Sequence, residues 1–296
     1  MLDAVSKVSG RSVLSSGRFK IISEQLSPEL ISRIRGARLL LAEDNEINRQ
    51  VAQEMLEGFG IDVTTAENGE EAISLLVAED FDGVLMDMQM PVMDGVTATR
   101  VIRKNPRFAE LPIIALTANV MVREQNEFLE AGITDYIGKP IDPYRMVTTL
   151  AKWVRPKRAA EDNPVMQAGQ QTESKPESPP EKSLPDLPGI NVAESVRRMG
   201  GNVALYCMLL DKFRVKEHNF AGTLREALAE GDHVTAERMA HTLRGSAGTL
   251  GAKSLQELAA MLEDCIRKAE FGEVDSLLER TEQELAAFIG AIDHAL

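Results

Sequence analysis

The stretch from Arg38 to Asp87, RLLLAEDNEINRQVAQEMLEGFGIDVTTAENGEEAISLLVAEDFDGVLMD, decides the fold of the first half of the chain. Leu39-Leu40-Leu41-Ala42 is a short apolar run without polar alternation, which reads as a strand covered on both faces. Glu46 to Gly58 follows as a helix, Ile61 to Thr65 as a strand, Gly69 to Ala78 as a helix and Gly83 to Asp87 as a strand. The alternation continues with helices over Gly95 to Lys104, Met121 to Ala131 and Pro143 to Val154, and strands over Ile113 to Leu116 and Thr134 to Ile137. Five successive strand–helix units predict an α/β doubly wound five-stranded parallel sheet with helices on both faces.

Outward from this core the pattern changes in both directions. Residues 1–36 lack strong periodicity and read as a lead-in segment. Within it, Ser27-Pro28-Glu29 predicts a short helix with Ser27 as N-cap, ended by Gly36. The α/β unit is expected over residues 37–155. Residues 156–187 concentrate proline among Glu, Ser, Gln and Lys, and too little apolar area is present to offset ordering entropy, so a disordered linker is expected. Residues 188–296 are purely helical in pattern. Leu205, Met208, Leu209 and Phe213 recur on one helical face. Further helices are predicted near Asn219 to Ala229, Asp232 to Leu250, Ser254 to Ala269 and Val274 to Ile292, making an all-α helical bundle.

Bulk composition narrows the function classes. The 296 residues carry a formal net charge of −13, with 44% hydrophobic and 27% charged residues. An acidic surface repels phosphate backbones and anionic membranes, so no nucleic acid partner is expected. No apolar run reaches a membrane span and Met1 to Gly10 has no apolar signal region, so neither membrane insertion nor secretion is expected. Two cysteines without zinc-ligand spacing fit a reducing, cytoplasmic setting.

In a doubly wound sheet, ligands bind at the carboxyl ends of the strands. The predicted strands end at Glu43-Asp44, Asp87, Thr117 and near Lys139, so three carboxylates, a hydroxyl and an ammonium converge by topology. Three carboxylates in one crevice repel unless a cation joins them, and hard oxygen ligands suit Mg²⁺. Asp87 could then act as a carboxylate nucleophile toward a phosphoryl group, with Lys139 pairing the resulting charge and Thr117 bonding a phosphoryl oxygen. The segments LLLAEDNEIN, VLMDMQMPVMDG, IIALTA and DYIGKP, in that order, resemble the response-regulator receiver family, especially receivers of hybrid sensor kinases. The resemblance implies a flavodoxin-like fold and Asp87 as phosphoacceptor. It also implies Mg²⁺ held by Glu43, Asp44, Asp87 and the Gln89 carbonyl, a coupled switch of Thr117 and Tyr136, and Lys139 as phosphate partner ahead of an often cis Pro140. Glu43 stands where many members carry aspartate.

The second half carries one unusual helix, AHTLRGSAGTLG over residues 240–251. Each interior glycine costs roughly 1 kcal/mol against alanine, so Gly245 and Gly248 require an offsetting role. His241, Arg244, Gly245 and Gly248 share one face, where small residues clear space for another surface, while Leu243, Ala247 and Leu250 suit a core. An open imidazole there can act as a nucleophile. This segment resembles the histidine-phosphotransfer family, with Arg244 in place of the usual lysine; the charge is kept but the planar guanidinium is bulkier. His218, His233 and His294 lack such a setting and read as surface residues.

Together the two resemblances imply phosphorelay signal transduction. Phosphate would pass from an upstream phosphohistidine to Asp87, then to His241, then to an aspartate on a downstream receiver. The implied partners are a sensor histidine kinase and a downstream response regulator. No glycine-rich phosphate loop or ATP-binding kinase pattern is present, so the chain is not expected to use ATP itself. Three other readings compete: a phosphorylation-switched interaction module, the tail of a hybrid sensor kinase and, disfavoured by charge, a DNA-binding regulator. A flexible linker of about 30 residues spans roughly 30 Å, enough for two domains with radii of gyration near ~13 Å to meet. The effective concentration is then of order mM.

Overall fold

The computed structural model describes residues 27–118, 122–156 and 184–296. The sheet contains β1 (Arg38–Ala42), β2 (Asp62–Ala66), β3 (Gly83–Asp87), β4 (Ile113–Thr117) and β5 (Asp135–Gly138), all parallel in the order β2-β1-β3-β4-β5. Helix α1 (Pro28–Ile34) precedes it, and α2 (Glu46–Gly58), α3 (Gly69–Ala78), α4 (Gly95–Arg103), α5 (Val122–Ala131) and α6 (Pro143–Trp153) alternate with the strands. Strand side chains divide by parity, because successive residues point to opposite faces. Leu39, Leu41, Leu85, Ile114, Leu116 and Ile137 enter one core with α2 and α6, whereas Leu40, Val84, Met86, Ile113 and Ala115 enter the other. That two-sided burial is why β1, β3 and β4 read as apolar runs, whereas the edge strands β2 and β5 carry polar residues.

Side-chain caps fix where several helices begin. Asn45, Asn68, Asp94 and Asp142 each accept from backbone N–H groups of the following first turn. The short α1 is capped by Ser27 as its sequence predicts, yet it is no mere lead-in: Ile34 is fully buried in the α2/α6 core. The lead-in reading of residues 1–36 therefore changes for residues 27–36, while its remainder lies outside the described residues. The expected cost of Ile34→Ala is about 2–5 kcal/mol of stability in chemical denaturation. A loss below about 0.5 kcal/mol would return this helix to linker status.

The bundle comprises α7 (Val192–Arg198), α8 (Val203–Glu217), α9 (Phe220–Ala229), α10 (His233–Leu250), α11 (Lys253–Arg267) and α12 (Val274–Ala295). The sequence reading did not separate α7, which is stopped by Gly200 and Gly201 at positive φ. Of the expected linker, residues 157–183 lie outside the described residues. Its end does not behave as linker, because Leu187 is buried in the bundle's core. One apolar cluster runs from the α2/α6 side of the sheet into the bundle. The bundle is thus docked on the sheet unit of its own chain.

Candidate functional site

β1 and β3 deliver Glu43, Asp44 and Asp87 to one point, with one carboxylate oxygen of each within 4.8 Å of the others. The close pass of Gly95 fixes the end of β3, since a Cβ there would lie 2.1 Å from the Asp87 carbonyl oxygen. Lys139, joined to Pro140 by a cis peptide bond, enters from the end of β5. Its Nζ lies 2.6 Å from Asp87 Oδ2 and 2.6 Å from Glu43 Oε2. The Gln89 backbone N–H donates to Asp87 Oδ1 at 3.2 Å.

The charge balance of this cluster is incomplete. Burial, then the neighbouring Asp87, pushes the Glu43 carboxyl up to about 8, although Lys139 opposes the shift. Burial and Asp87 likewise raise Asp44. Burial alone would lower the Lys139 ammonium, but Asp87 and Glu43 outweigh it and its pKa rises. One ammonium among three converging carboxylates leaves excess negative charge in a poorly solvated place. Oxygen donors with that excess fit a hard divalent cation.

The bundle closes over this cluster. A cavity of about 160 Å³ is lined by Asp87, Gln89 and Thr117 from the sheet unit and by His241, Arg244, Glu263 and Arg267 from the bundle. His241 is 6% exposed, which corrects the expectation of an open imidazole. Its cover comes from Glu263 on α11 and from the docked sheet unit, and it lines a second cavity with Met88, Gln89 and Pro91. His241 Nδ1 lies 3.1 Å from Glu263 Oε1. A carboxylate only accepts, so Nδ1 carries the hydrogen, and in the neutral imidazole the lone pair then lies on Nε2.

Arg244 spans the two units. Nη1 donates to Glu263 Oε2 at 2.8 Å and Nη2 donates to the Ala118 carbonyl at 2.6 Å. Thr117 is buried beside it in the same cavity lining. Tyr136 is half-exposed on β5 and is not among the cavity's lining residues. The two glycines separate in role. A Cβ on Gly245 would meet Asn48 Nδ2 of the sheet unit at 2.8 Å, in keeping with close approach of another surface. A Cβ on Gly248 would instead meet Gln256 of the bundle at 2.5 Å, so this glycine serves packing between α10 and α11 rather than an intermolecular face.

Four participants escaped the sequence reading. Asn45, the N-cap of α2, and Asn48 in its first turn bond across the interface: Asn45 Nδ2 donates to Ser246 Oγ at 2.7 Å and to the Thr242 carbonyl at 3.0 Å, and Thr249 Oγ1 donates to Asn48 Oδ1 at 2.7 Å. Glu263 and Arg267 are the others; Arg267 Nη2 donates to Glu263 Oε1 at 2.7 Å. Glu263 had a legible signal, because it interrupts the buried stripe of Leu255, Ala259, Leu262 and Ile266 with a carboxylate. Lys212 adds an ion pair to Glu46 at the rim.

Burial would raise the Glu263 carboxyl, but the hydrogen bond from His241 and the Arg244 guanidinium outweigh it and hold it near about 2. A depressed folded-state pKa stabilises the fold above the ordinary carboxylate range, and that stability is lost as pH falls. The expected result is an acid limb between about pH 4.5 and about 2 in thermal melts, which Glu263→Gln flattens. An identical limb in the variant would show that the network carries no such linkage.

Comparison with known proteins accords with this geometry. Residues 39–151 match the response regulator receiver domain and residues 208–293 match the Hpt domain. A sensor histidine kinase, GacS, of Pseudomonas protegens is 28% identical over 279 residues, covering 91% of this chain and 27% of that protein. The aerobic respiration control sensor protein ArcB of Escherichia coli is 26% identical over 247 residues, covering 83% of this chain and 30% of its own length. The receiver domain of a sensor histidine kinase from Pseudomonas aeruginosa, solved with magnesium in its active-site cleft, is 38% identical, covers 40% of this chain and 97% of that chain, and has a TM-score of 0.38. The chain spans under a third of the length of these two sensor kinases. No helix among the described residues is long and apolar enough to cross a membrane. The chain therefore carries a response regulator receiver domain over residues 39–151 followed by an Hpt domain over residues 208–293, the arrangement found in the C-terminal part of hybrid sensor histidine kinases.

Proposed function

We propose that this chain relays a phosphoryl group from Asp87 to His241 within one molecule, as part of a longer phosphorelay. The observation that carries the reading is the shared cavity of about 160 Å³ lined by both Asp87 and His241. An Asp87 carboxylate oxygen attacks the phosphorus of an upstream phosphohistidine, forming a P–O bond as the P–N bond breaks. Nε2 of His241 then attacks the acyl phosphate, forming a P–N bond and returning Asp87 as carboxylate. Lys139 pairs with the aspartyl phosphate, Thr117 bonds a phosphoryl oxygen, and Arg244 balances charge from the bundle side. Glu263 fixes the imidazole tautomer that leaves Nε2 nucleophilic. Glu43, Asp44, Asp87 and the Gln89 carbonyl are the residues that would hold Mg²⁺, which when bound neutralises charge on the transferring group. Thr117 and Tyr136 are the proposed switch pair, moving when Asp87 is phosphorylated.

A sensor histidine kinase would supply the phosphoryl group and a downstream response regulator would receive it, in keeping with the relatives' nature as hybrid kinases. The chain's short span of those relatives equally fits a tail acting within a longer kinase, with the same chemistry. The deciding test is transfer of radiolabel from a phosphorylated kinase to this chain, comparing wild type with Asp87→Ala. Label on His241 in wild type and none in the variant supports the order. Equal labelling of His241 in both would refute it.

A further inference from the structure

Asn48 occupies a place that the receiver's own chemistry does not require. It lies within the first turn of α2, between the acidic cluster and the bundle. Its Nδ2 donates to Glu43 Oε1 at 3.2 Å, and its Oδ1 accepts from Thr249 Oγ1 of the bundle at 2.7 Å. Glu43 continues the path through its other oxygen to Lys139 Nζ, and Lys139 reaches Asp87. An unbroken line of polar contacts therefore joins helix α10 of the bundle to the phosphoacceptor. Asn48 is buried, and a Cβ on Gly245 would come within 2.8 Å of its Nδ2, so the amide has little freedom to reorient while the bundle is docked.

The donor end of the amide is aimed at Glu43, and the acceptor end is anchored by the Thr249 hydroxyl. Rotating the amide by half a turn would present two oxygens to each other at Glu43, a repulsive arrangement in a buried place. With the bundle absent, the amide keeps its Glu43 contact but loses the Thr249 anchor that fixes its position. We propose that Asn48 is a positioning residue coupling bundle docking to the acidic cluster: the docked bundle, through Thr249, sets the Asn48 amide and thereby the Glu43 carboxylate for divalent cation binding. Coupling of this kind is reciprocal, so the cation tightens docking by the same factor that docking tightens the cation. The inference rests on the reading of Glu43, Asp44 and Asp87 as cation ligands.

The test is Mg²⁺ titration of the full chain by isothermal calorimetry, in a double-mutant cycle. Thr249→Val keeps side-chain shape and removes the donor, and is expected to weaken Mg²⁺ roughly three- to tenfold, the range for one lost hydrogen bond. Thr249→Ser restores the donor and should bind as wild type does, which a mere packing role for Thr249 would not produce. In an Asn48→Ala background, Thr249→Val should no longer change the affinity. Equal affinity of wild type and Thr249→Val overturns the coupling, and so does a loss that persists undiminished in the Asn48→Ala background. No Mg²⁺ binding by wild type would instead overturn the cation-site reading, and the coupling with it.

Discussion

His241→Gln leaves Asp87 able to accept phosphate from a small phosphodonor but eliminates the acid-labile, base-stable label that phosphohistidine carries. Glutamine keeps a polar side chain of similar reach beside Glu263, yet offers no nucleophilic ring nitrogen. The receiver's own groups, Asp87, Lys139 and Thr117, are untouched, so acyl phosphate should form at a wild-type rate. Its lifetime should lengthen, since transfer to the bundle no longer drains it. The expected loss in transfer is more than a thousandfold, of the order seen when an enzyme loses its nucleophile. The measurement is denaturing electrophoresis of radiolabelled protein split between acid and alkaline treatment. Base-stable label persisting in His241→Gln would place the accepting histidine elsewhere.

Gly245→Leu separates docking from folding. The nearest side chains that a Cβ at this position meets are Asn48 and Asn45, both of the receiver. Leucine is a better helix former than glycine by roughly 0.8 kcal/mol, so α10 and its bundle should gain stability. The interface should open, because side-chain atoms would fall where Asn48 already bonds Glu43 and Thr249. A displacement of about 1 Å between reacting groups can cost on the order of a hundredfold in rate. The expected outcome is intramolecular transfer slowed by roughly that factor, with phosphorylation of Asp87 by small donors unchanged. Single-turnover decay of the aspartyl phosphate measures the first, and small-angle scattering reads the opened shape. Transfer at the wild-type rate would mean that the docked arrangement is not the one through which phosphate moves.

Much of the architecture was legible because its signals are local. Short apolar strands alternating with helical stretches specify a parallel sheet with little ambiguity. Strand ends then place Glu43, Asp44, Asp87, Thr117 and Lys139 near one another by topology alone. The histidine helix was legible through its cost, since glycines inside a helix demand a reason. That reason proved different at the two positions: Gly245 makes room for Asn48, and Gly248 makes room for Gln256. Both lie near the histidine on one helical face, and periodicity cannot tell which neighbour approaches.

Sequence by itself determined the two domains, the parallel sheet and the chemical identity of the acid cluster and the histidine, because each depends on residues close in sequence or on connection rules. Tertiary structure alone decided that the bundle sits on its own receiver, that His241 is enclosed with Asp87 rather than open to solvent, and that Asn45, Asn48, Glu263 and Arg267 complete the site. Glu263 meets His241 through packing of neighbouring bundle helices, and the contacts between bundle and receiver join residues over a hundred apart through the docking of two finished surfaces. No periodicity or cap encodes which polar groups will then face each other.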